Sequence, residues 1–171
     1  MTALWKPRFL LLSLLMAVAA YASPPRGIRT VTITERDGFV LKKANDSLYW
    51  LNDWRLPYPV YQFQTGDVDG DGSIDAMVGV IKGTRYYPEK GRRLFIFKQV
   101  NGKARAMWMG SKLGGALQDF RFVNGRIRSL ETATDSVYVV AEYKWGGFGM
   151  DFDHYLIKGT DKETATKYFS Q

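Results

Sequence analysis

The sequence predicts an all-β protein, an antiparallel meander of about ten or eleven strands in a single domain. Three observations indicate this fold. Short runs of alternating apolar and β-branched residues fill the chain from residue 28 onward, and two Asn-Gly dipeptides separate pairs of such runs. No segment shows a long, capped apolar face with helical spacing. Hairpins that follow one another along the chain are typical of a propeller-blade-like or small barrel-like domain.

The first predicted strands are bounded by turn residues. The run IRTVTITE at 28–35 alternates in the manner of a half-buried strand, and the turn RDG leads into FVLKK at 39–43. The run YPVYQFQ at 58–64 is a further strand, and Pro57 and Pro59 at its start favour an edge position or a strand entry. The mostly apolar run IDAMVGVIK at 74–82 suits a buried strand.

The second half of the chain reads as three hairpins. Asn101-Gly102 and Asn124-Gly125 each predict a type I′ turn, because asparagine and glycine accept its positive φ angles. A glycine-rich connection predicts the last hairpin, and the tail 160–171 offers one helical turn. The predicted strands of this half lie at 92–100, 103–110, 117–123, 126–133, 136–145 and 150–159.

Residues 1–22 have the layout of a secretory signal peptide. A basic start with Lys6 and Arg8 precedes an apolar run at 9–19 and a small-x-small pattern that ends at Ala22. The run is short for a membrane span of about 20 residues, although an uncleaved anchor is the alternative. The chain has no cysteine, which excludes both a lipid-modified cysteine and disulfides. We therefore expect a periplasmic or secreted protein with no transmembrane segment after cleavage, and a mature domain at 23–171.

The charge of the mature chain is mildly basic. Cleavage removes two basic residues from a formal net charge of +7 and leaves +5. The basic residues are scattered and form only short pairs, so the pattern predicts no nucleic-acid partner. Anionic envelope polymers or membrane surfaces remain compatible with this bias, and the oligomeric state is not determined.

An aspartate loop at 66–75, GDVDGDGSID, predicts a calcium site. Asp67, Asp69, Asp71 and Asp75 occupy positions 1, 3, 5 and 9, and Ser73 at position 7 offers its main-chain carbonyl. The glycine at position 6 permits the sharp turn that wraps such a loop around an ion. A cation would offset the repulsion among four carboxylates. Magnesium is disfavoured because it takes fewer protein ligands, and an acidic surface turn that binds nothing is the alternative.

The residues around this loop distinguish it from an EF-hand and resemble another family. An EF-hand needs a glutamate at position 12, where this chain has Val78, and the flanks here are strands. GDVDGDGSIDAMVGV resembles the Asp-x-Asp-Gly-Asp-Gly-x-x-Asp signature of FG-GAP/VCBS-type repeats of integrin-like β-propellers. The following GRRLFIFKQVNGK is similar to the second and third strands of such a blade. The resemblance covers about residues 60–110 and implies a structural calcium ion at a strand-to-strand connection.

One copy of the motif leaves the number and closure of the sheets open. The 149 residues of the mature chain have room for about three four-stranded blades, fewer than the four to eight of a closed propeller. A propeller fragment, a small barrel and a sheet that packs on itself all fit.

Aromatic residues suggest a ligand surface on two segments. Trp54, Arg55 and Tyr58 lie in the first, and Trp145 and Phe148 lie in the second, beside three glycines. Rings at this density are favoured as core residues of a β-domain, and the alternative is that flat rings on exposed loops stack on sugars or hold a peptide.

The residues favour a non-catalytic binding or adhesion module for a protein or an envelope glycan. A carbohydrate hydrolase would need a carboxylate pair drawn from Asp119, Glu131, Glu142 and Asp151, and the sequence singles out no pair. A structural subunit that assembles through open sheet edges is the third hypothesis. The only histidine, His154, shares a face with apolar residues if strand alternation is regular, which favours a structural role.

Overall fold

The computed structural model describes residues 32–85, 87–110, 112–134 and 136–171, and the predicted signal peptide at 1–22 lies outside them. The described residues form twelve strands and one helix. Their bounds are β1 (Thr32–Arg36), β2 (Phe39–Asn45), β3 (Leu48–Leu51), β4 (Trp54–Leu56), β5 (Val60–Gly66), β6 (Asp75–Lys82), β7 (Gly91–Val100), β8 (Lys103–Met109), β9 (Ala116–Val123), β10 (Arg126–Thr134), β11 (Val137–Trp145), β12 (Met150–Thr160) and α1 (Lys162–Ser170).

The strands form three sheets, each a four-stranded antiparallel meander in chain order. Sheet I contains β1 to β4, sheet II contains β5 to β8, and sheet III contains β9 to β12. The predicted all-β, single-domain fold is therefore confirmed. In none of the three sheets do the first and last described strands pair with each other, so each sheet is open. Among the described residues, no helix has the length and apolar character needed to span a membrane.

Sheet II lies between the other two sheets and buries both of its faces. In β6, Ala76 and Val78 point towards sheet I, whereas Met77 points towards sheet III. In β7, Phe95 and Phe97 face sheet I, whereas Leu94 and Ile96 face sheet III. Because successive side chains of a strand point to opposite faces, burial on both sides requires an uninterrupted apolar run. This explains the composition of residues 74–82.

The helix α1 covers the outer face of sheet III. Asp161 caps its N-terminus, since its carboxylate accepts a hydrogen bond of 2.9 Å from the backbone N–H of Thr164. Ala165 and Phe169 are buried against Leu130 and Val140 of the sheet. The sequence predicted only one turn here. The helix has nine residues because packing against the sheet adds stability that a short isolated helix lacks.

Two short strands, β3 and β4, were not predicted. Their turn contains Asn52 with a φ of 49° but has no glycine to mark it. Leu51 and Leu56 are fully buried against sheet II, so tertiary packing rather than local alternation determines these strands.

Gly79 of β6 is a position where a larger residue should destabilise the protein. A Cβ atom at Gly79 would lie 2.6 Å from a ring carbon of Tyr61, which packs across it from the neighbouring strand. We expect Gly79→Ala to lower the free energy of unfolding by about 1–3 kcal/mol, because the ring must leave its position. Urea denaturation measures this loss. In a Tyr61→Ala background the same substitution should cost much less, and an equal cost in both backgrounds would contradict the explanation.

Candidate functional site

The aspartate loop connects β5 to β6 at one end of sheet II. Gly66 pairs with Asp75 where the two strands meet the loop, and Val68 is buried in the core between sheets II and III. The carboxylate of Asp75 turns back towards this anchor, because its Oδ2 accepts a hydrogen bond of 3.0 Å from the Val68 N–H. The two ends of the loop are therefore held close together, and the residues between them form a compact turn.

The first three aspartates of the loop converge. Carboxylate oxygens of Asp67, Asp69 and Asp71 lie within 4.8 Å of one another. Asp67 accepts hydrogen bonds from the N–H groups of Gly70, at 2.7 Å, and Gly72, at 2.9 Å. Both glycines have positive φ, which lets the chain turn around the carboxylates. The Gly72 conformation matches the sharp turn predicted at position 6.

Two further bonds order the second half of the loop. The Asp71 N–H donates to Asp69 at 3.4 Å, and the Ser73 N–H donates to Asp71 at 2.8 Å. Each bond spans two residues, which is the geometry of an Asx turn. The alternate aspartates are thereby directed to the same side of the loop.

Asp75 has an orphaned oxygen. Its side chain is fully buried, and Oδ1 has no hydrogen-bond partner within the part of the chain that the structure describes. Burial raises the pKa of this carboxyl to about 6, and the nearby charges of Asp69 and Asp71 add to the effect. A buried carboxylate with an unsatisfied oxygen costs free energy unless a cation or a proton is bound to it.

Lys98 of β7 supplies one positive charge to the loop. Its Nζ lies 2.8 Å from Oδ2 of Asp69 and also contacts Oδ2 of Asp71. These two hydrogen bonds raise the pKa of Lys98, and the same contact lowers the pKa of Asp71. No local pattern in the sequence marks Lys98 as a partner of the loop. The register of β6 and β7 explains its position. Ala76 pairs with Phe97, so the next residue of β7, Lys98, lies beside the end of β6 where the loop joins it.

The loop carries the kind of oxygen donors that a hard divalent cation binds. Three of its four carboxylates, those of Asp67, Asp69 and Asp71, converge, and Asp75 lies outside this group. One buried oxygen of Asp75 has no donor among the described residues. Calcium takes six to eight oxygen ligands, and carboxylates and main-chain carbonyls are the usual ones. Asp75 and the carbonyl of Ser73 stay predicted ligands.

The predicted aromatic surface is divided between different parts of the fold. Trp54 packs edge-on against Phe97, with ring centroids 5.5 Å apart, and Tyr58 packs against Phe95 in the same way at 6.1 Å. Both rings belong to the core between sheets I and II. Arg55 is exposed. The first segment therefore contributes most of its aromatic area to packing between sheets.

The second aromatic segment contains the most exposed phenylalanine of the described residues. Trp145 is partly buried between sheets II and III, but Phe148, in the hairpin between β11 and β12, is 95% exposed. Phe148 borders an open cleft of about 540 Å³ that Trp108, Met150 and Asp151 also line. Of the five predicted residues, Phe148 presents the most exposed ring beside a cleft, and Trp54 and Tyr58 lie at a different part of the fold.

Two of the candidate catalytic carboxylates, Glu131 and Glu142, do not face each other in sheet III. Glu131 accepts hydrogen bonds from Ser129 at 2.5 Å, from Tyr143 at 2.8 Å and from the Gly115 N–H. Glu142 accepts bonds of 2.9 and 2.8 Å from the guanidinium of Arg128. Strand alternation places Glu131 and Glu142 on opposite faces of the sheet. Of the other two carboxylates, Asp119 is in β9 and Asp151 lines the cleft beside Phe148.

His154 lies among charged residues, so the prediction of apolar neighbours is wrong. Its Nδ1 is 3.1 Å from Asp153, and its Nε2 is 3.9 Å from Glu142. A β-bulge in β12 explains the difference, because His154 pairs with Glu142 and Phe152 pairs with Tyr143. The extra residue breaks the regular alternation and turns His154 and Phe152 to opposite faces.

Comparisons with known proteins yield no relative for this chain. No family model, no curated protein and no solved structure matches it. The likeness to FG-GAP/VCBS-type repeats therefore stays a prediction from the loop residues.

Proposed function

We propose that this protein is an exported calcium-binding β-domain in which the ion stabilises the connection between β5 and β6. The observation that carries the proposal is the buried Oδ1 of Asp75, which has no partner in the described part of the chain, beside three converging carboxylates. The export part of the proposal rests on the sequence pattern of residues 1–22.

The charge balance of the loop supports a divalent ion. The three converging carboxylates and that of Asp75 carry four negative charges, and the ammonium group of Lys98, which contacts Asp69 and Asp71, supplies one positive charge among the contacts described above. Two unit charges 4 Å apart interact by about 4 kcal/mol near a protein surface, so a doubly charged ion among these carboxylates removes a substantial repulsion.

The position of the loop supports a structural role for the ion. Asp67 follows the last residue of β5, and Asp75 is the first residue of β6. An ion bound to both would join the two strands where their pairing ends. A ligand that binds only the folded state stabilises it by about 2.7 kcal/mol at a concentration 100 times its Kd.

Thermal unfolding tests the proposal. We expect calcium at 100 times its Kd to raise the Tm of the mature protein by about 5–10 °C relative to the protein in chelator. This shift corresponds to a stabilisation of about 2.7 kcal/mol in a domain of this size. Asp69→Asn should abolish the shift, because it removes one ligand charge at nearly constant shape. The same scan with magnesium should give a smaller shift.

Asp46→Asn is the matched control for this experiment. Asp46 also forms an ion pair with a lysine, at 2.7 Å from Lys43, but it lies outside the aspartate loop. Its replacement should leave the calcium shift unchanged. Equal Tm values with calcium and with chelator in the wild-type protein would overturn the proposal.

We propose further that the domain is a non-catalytic binding module. The exposed ring of Phe148 beside its cleft is the described feature that best fits contact with a protein or a glycan. A hydrolase is less well supported, because Glu131 and Glu142 point away from each other and are held by internal hydrogen bonds. Loss of binding to isolated envelope glycans or envelope proteins on Phe148→Ala, with unchanged Tm, would support this assignment.

A further inference from the structure

We propose that the ammonium group of Lys98 is an internal competitor for calcium: it binds the carboxylates of the loop in the calcium-free protein and must withdraw when the ion binds. This inference rests on the proposed calcium site and concerns its regulation. It predicts that Lys98 weakens calcium affinity while it stabilises the calcium-free fold.

The contacts of Lys98 are with the predicted ligands themselves. Its Nζ is 2.8 Å from Oδ2 of Asp69 and contacts Oδ2 of Asp71, whereas Oδ1 of each of these aspartates accepts a backbone N–H. The oxygens that Lys98 binds are therefore those that the backbone does not use. A calcium ion would draw on the same oxygens.

The two cations compete for the same oxygens. Calcium binds oxygens at about 2.3–2.6 Å, so an ion that shared the Asp69 oxygen with Lys98, which is 2.8 Å from it, would lie no more than about 5.4 Å from the ammonium group. At that separation the double charge of the ion repels the ammonium group, and the carboxylate oxygens themselves lie within 4.8 Å of one another. We therefore expect the ammonium group to withdraw when calcium binds.

The surroundings of Lys98 distinguish it from an ordinary surface ion pair. The side chain of Lys98 is 27% exposed and that of Asp69 is 15% exposed, and β7 is a central strand of sheet II. Arg105, which pairs with Lys98 across the sheet, forms its own ion pair with Asp53 at 3.2 Å. Lys98 is therefore the cation that this part of the sheet directs at the loop.

Calcium titration of the full mature chain, with Lys98→Met, tests the inference. We expect Lys98→Met to tighten the Kd for calcium about two- to fivefold, the size of effect expected when an ion pair of this exposure no longer has to be broken. The same variant should have a lower Tm than the wild type in chelator. A general defect in folding would not raise affinity and lower stability together.

Two further variants separate charge from shape. Lys98→Arg keeps the positive charge and should keep the weaker binding of the wild type. Lys43→Met removes a lysine that is paired with Asp46 outside the loop, and it should leave the Kd unchanged. If Lys98→Met does not fold, Lys98→Gln removes the same charge with a side chain suited to a half-exposed strand position.

The outcomes distinguish this inference from the proposed function. Tighter binding by Lys98→Met alone would support the competition. Equal affinities of the wild type and Lys98→Met would overturn the competition and leave the calcium site in place. Failure of both proteins to bind calcium chloride would overturn the proposed function and the inference together.

Discussion

Asp75→Asn is expected to stabilise the calcium-free protein and to abolish its stabilisation by calcium. Oδ1 of Asp75 is buried with no hydrogen-bond partner among the described residues, and burial raises the pKa of the carboxyl to about 6. A raised pKa means that the folded state favours the protonated form, so at neutral pH the ionised carboxylate destabilises the fold in the absence of a cation. Asparagine resembles the protonated form, and its amide oxygen can still accept the Val68 N–H bond.

The expected gain in calcium-free stability is about 1–3 kcal/mol, since a pKa shift of one unit corresponds to 1.36 kcal/mol. Urea denaturation of the wild type and of Asp75→Asn, each in chelator and in calcium, measures the gain in calcium-free stability and the loss of stabilisation by calcium. Asp53→Asn is the control, because the exposed Asp53 is hydrogen-bonded to Ala104 and paired with Arg105, and its loss should lower stability slightly or leave it unchanged. If Asp75→Asn were less stable than the wild type in chelator, the ionised Asp75 carboxylate would not be destabilising the calcium-free fold, and the explanation would be contradicted.

Phe97→Ala is expected to lower the free energy of unfolding by about 3–5 kcal/mol, a large part of the stability of an ordinary domain. Phe97 is fully buried between sheets I and II. Its ring contacts Trp54 edge-on at 5.5 Å and Phe95 at 6.4 Å. Removing it leaves a cavity between two sheets that the rigid strands cannot close. Denaturation followed by tryptophan fluorescence measures the loss.

Phe148→Ala is the matched control for this prediction. It removes the same atoms from a ring that is 95% exposed, so the free energy of unfolding should change by less than about 0.5 kcal/mol. If Phe97→Ala lowered the free energy of unfolding as little as Phe148→Ala does, the packing of sheet I against sheet II would contribute little to stability.

Local patterns were sufficient for most strands and for the loop. Asn101 and Asn124, each followed by glycine, have positive φ angles of 51° and 50° at hairpin turns, as the dipeptides predict. The turn at Gly72 likewise follows from its place among the aspartates. These features depend on neighbours within a few residues, so the sequence contains all the information they need.

Patterns that depend on distant residues were missed or misjudged. The strands β3 and β4 pack against sheet II, and the full length of α1 depends on sheet III, so neither has a strong local signal. Regular alternation misplaced the neighbours of His154 because a bulge is set by the pairing of two strands. For Trp54 and Tyr58 the sequence left a ligand surface open beside the favoured core role, and the structure places both rings against buried phenylalanines.

The sequence by itself determined the all-β fold, the hairpin turns and the acidic loop with its candidate ligands, because alternation, turn chemistry and carboxylate spacing are short-range properties. Only the tertiary structure decided which faces are buried, that Asp75 has an orphaned oxygen, and that Lys98 reaches the same carboxylates from another strand. Burial and charge pairing join residues far apart in the chain, and the register and stacking of the sheets bring them together.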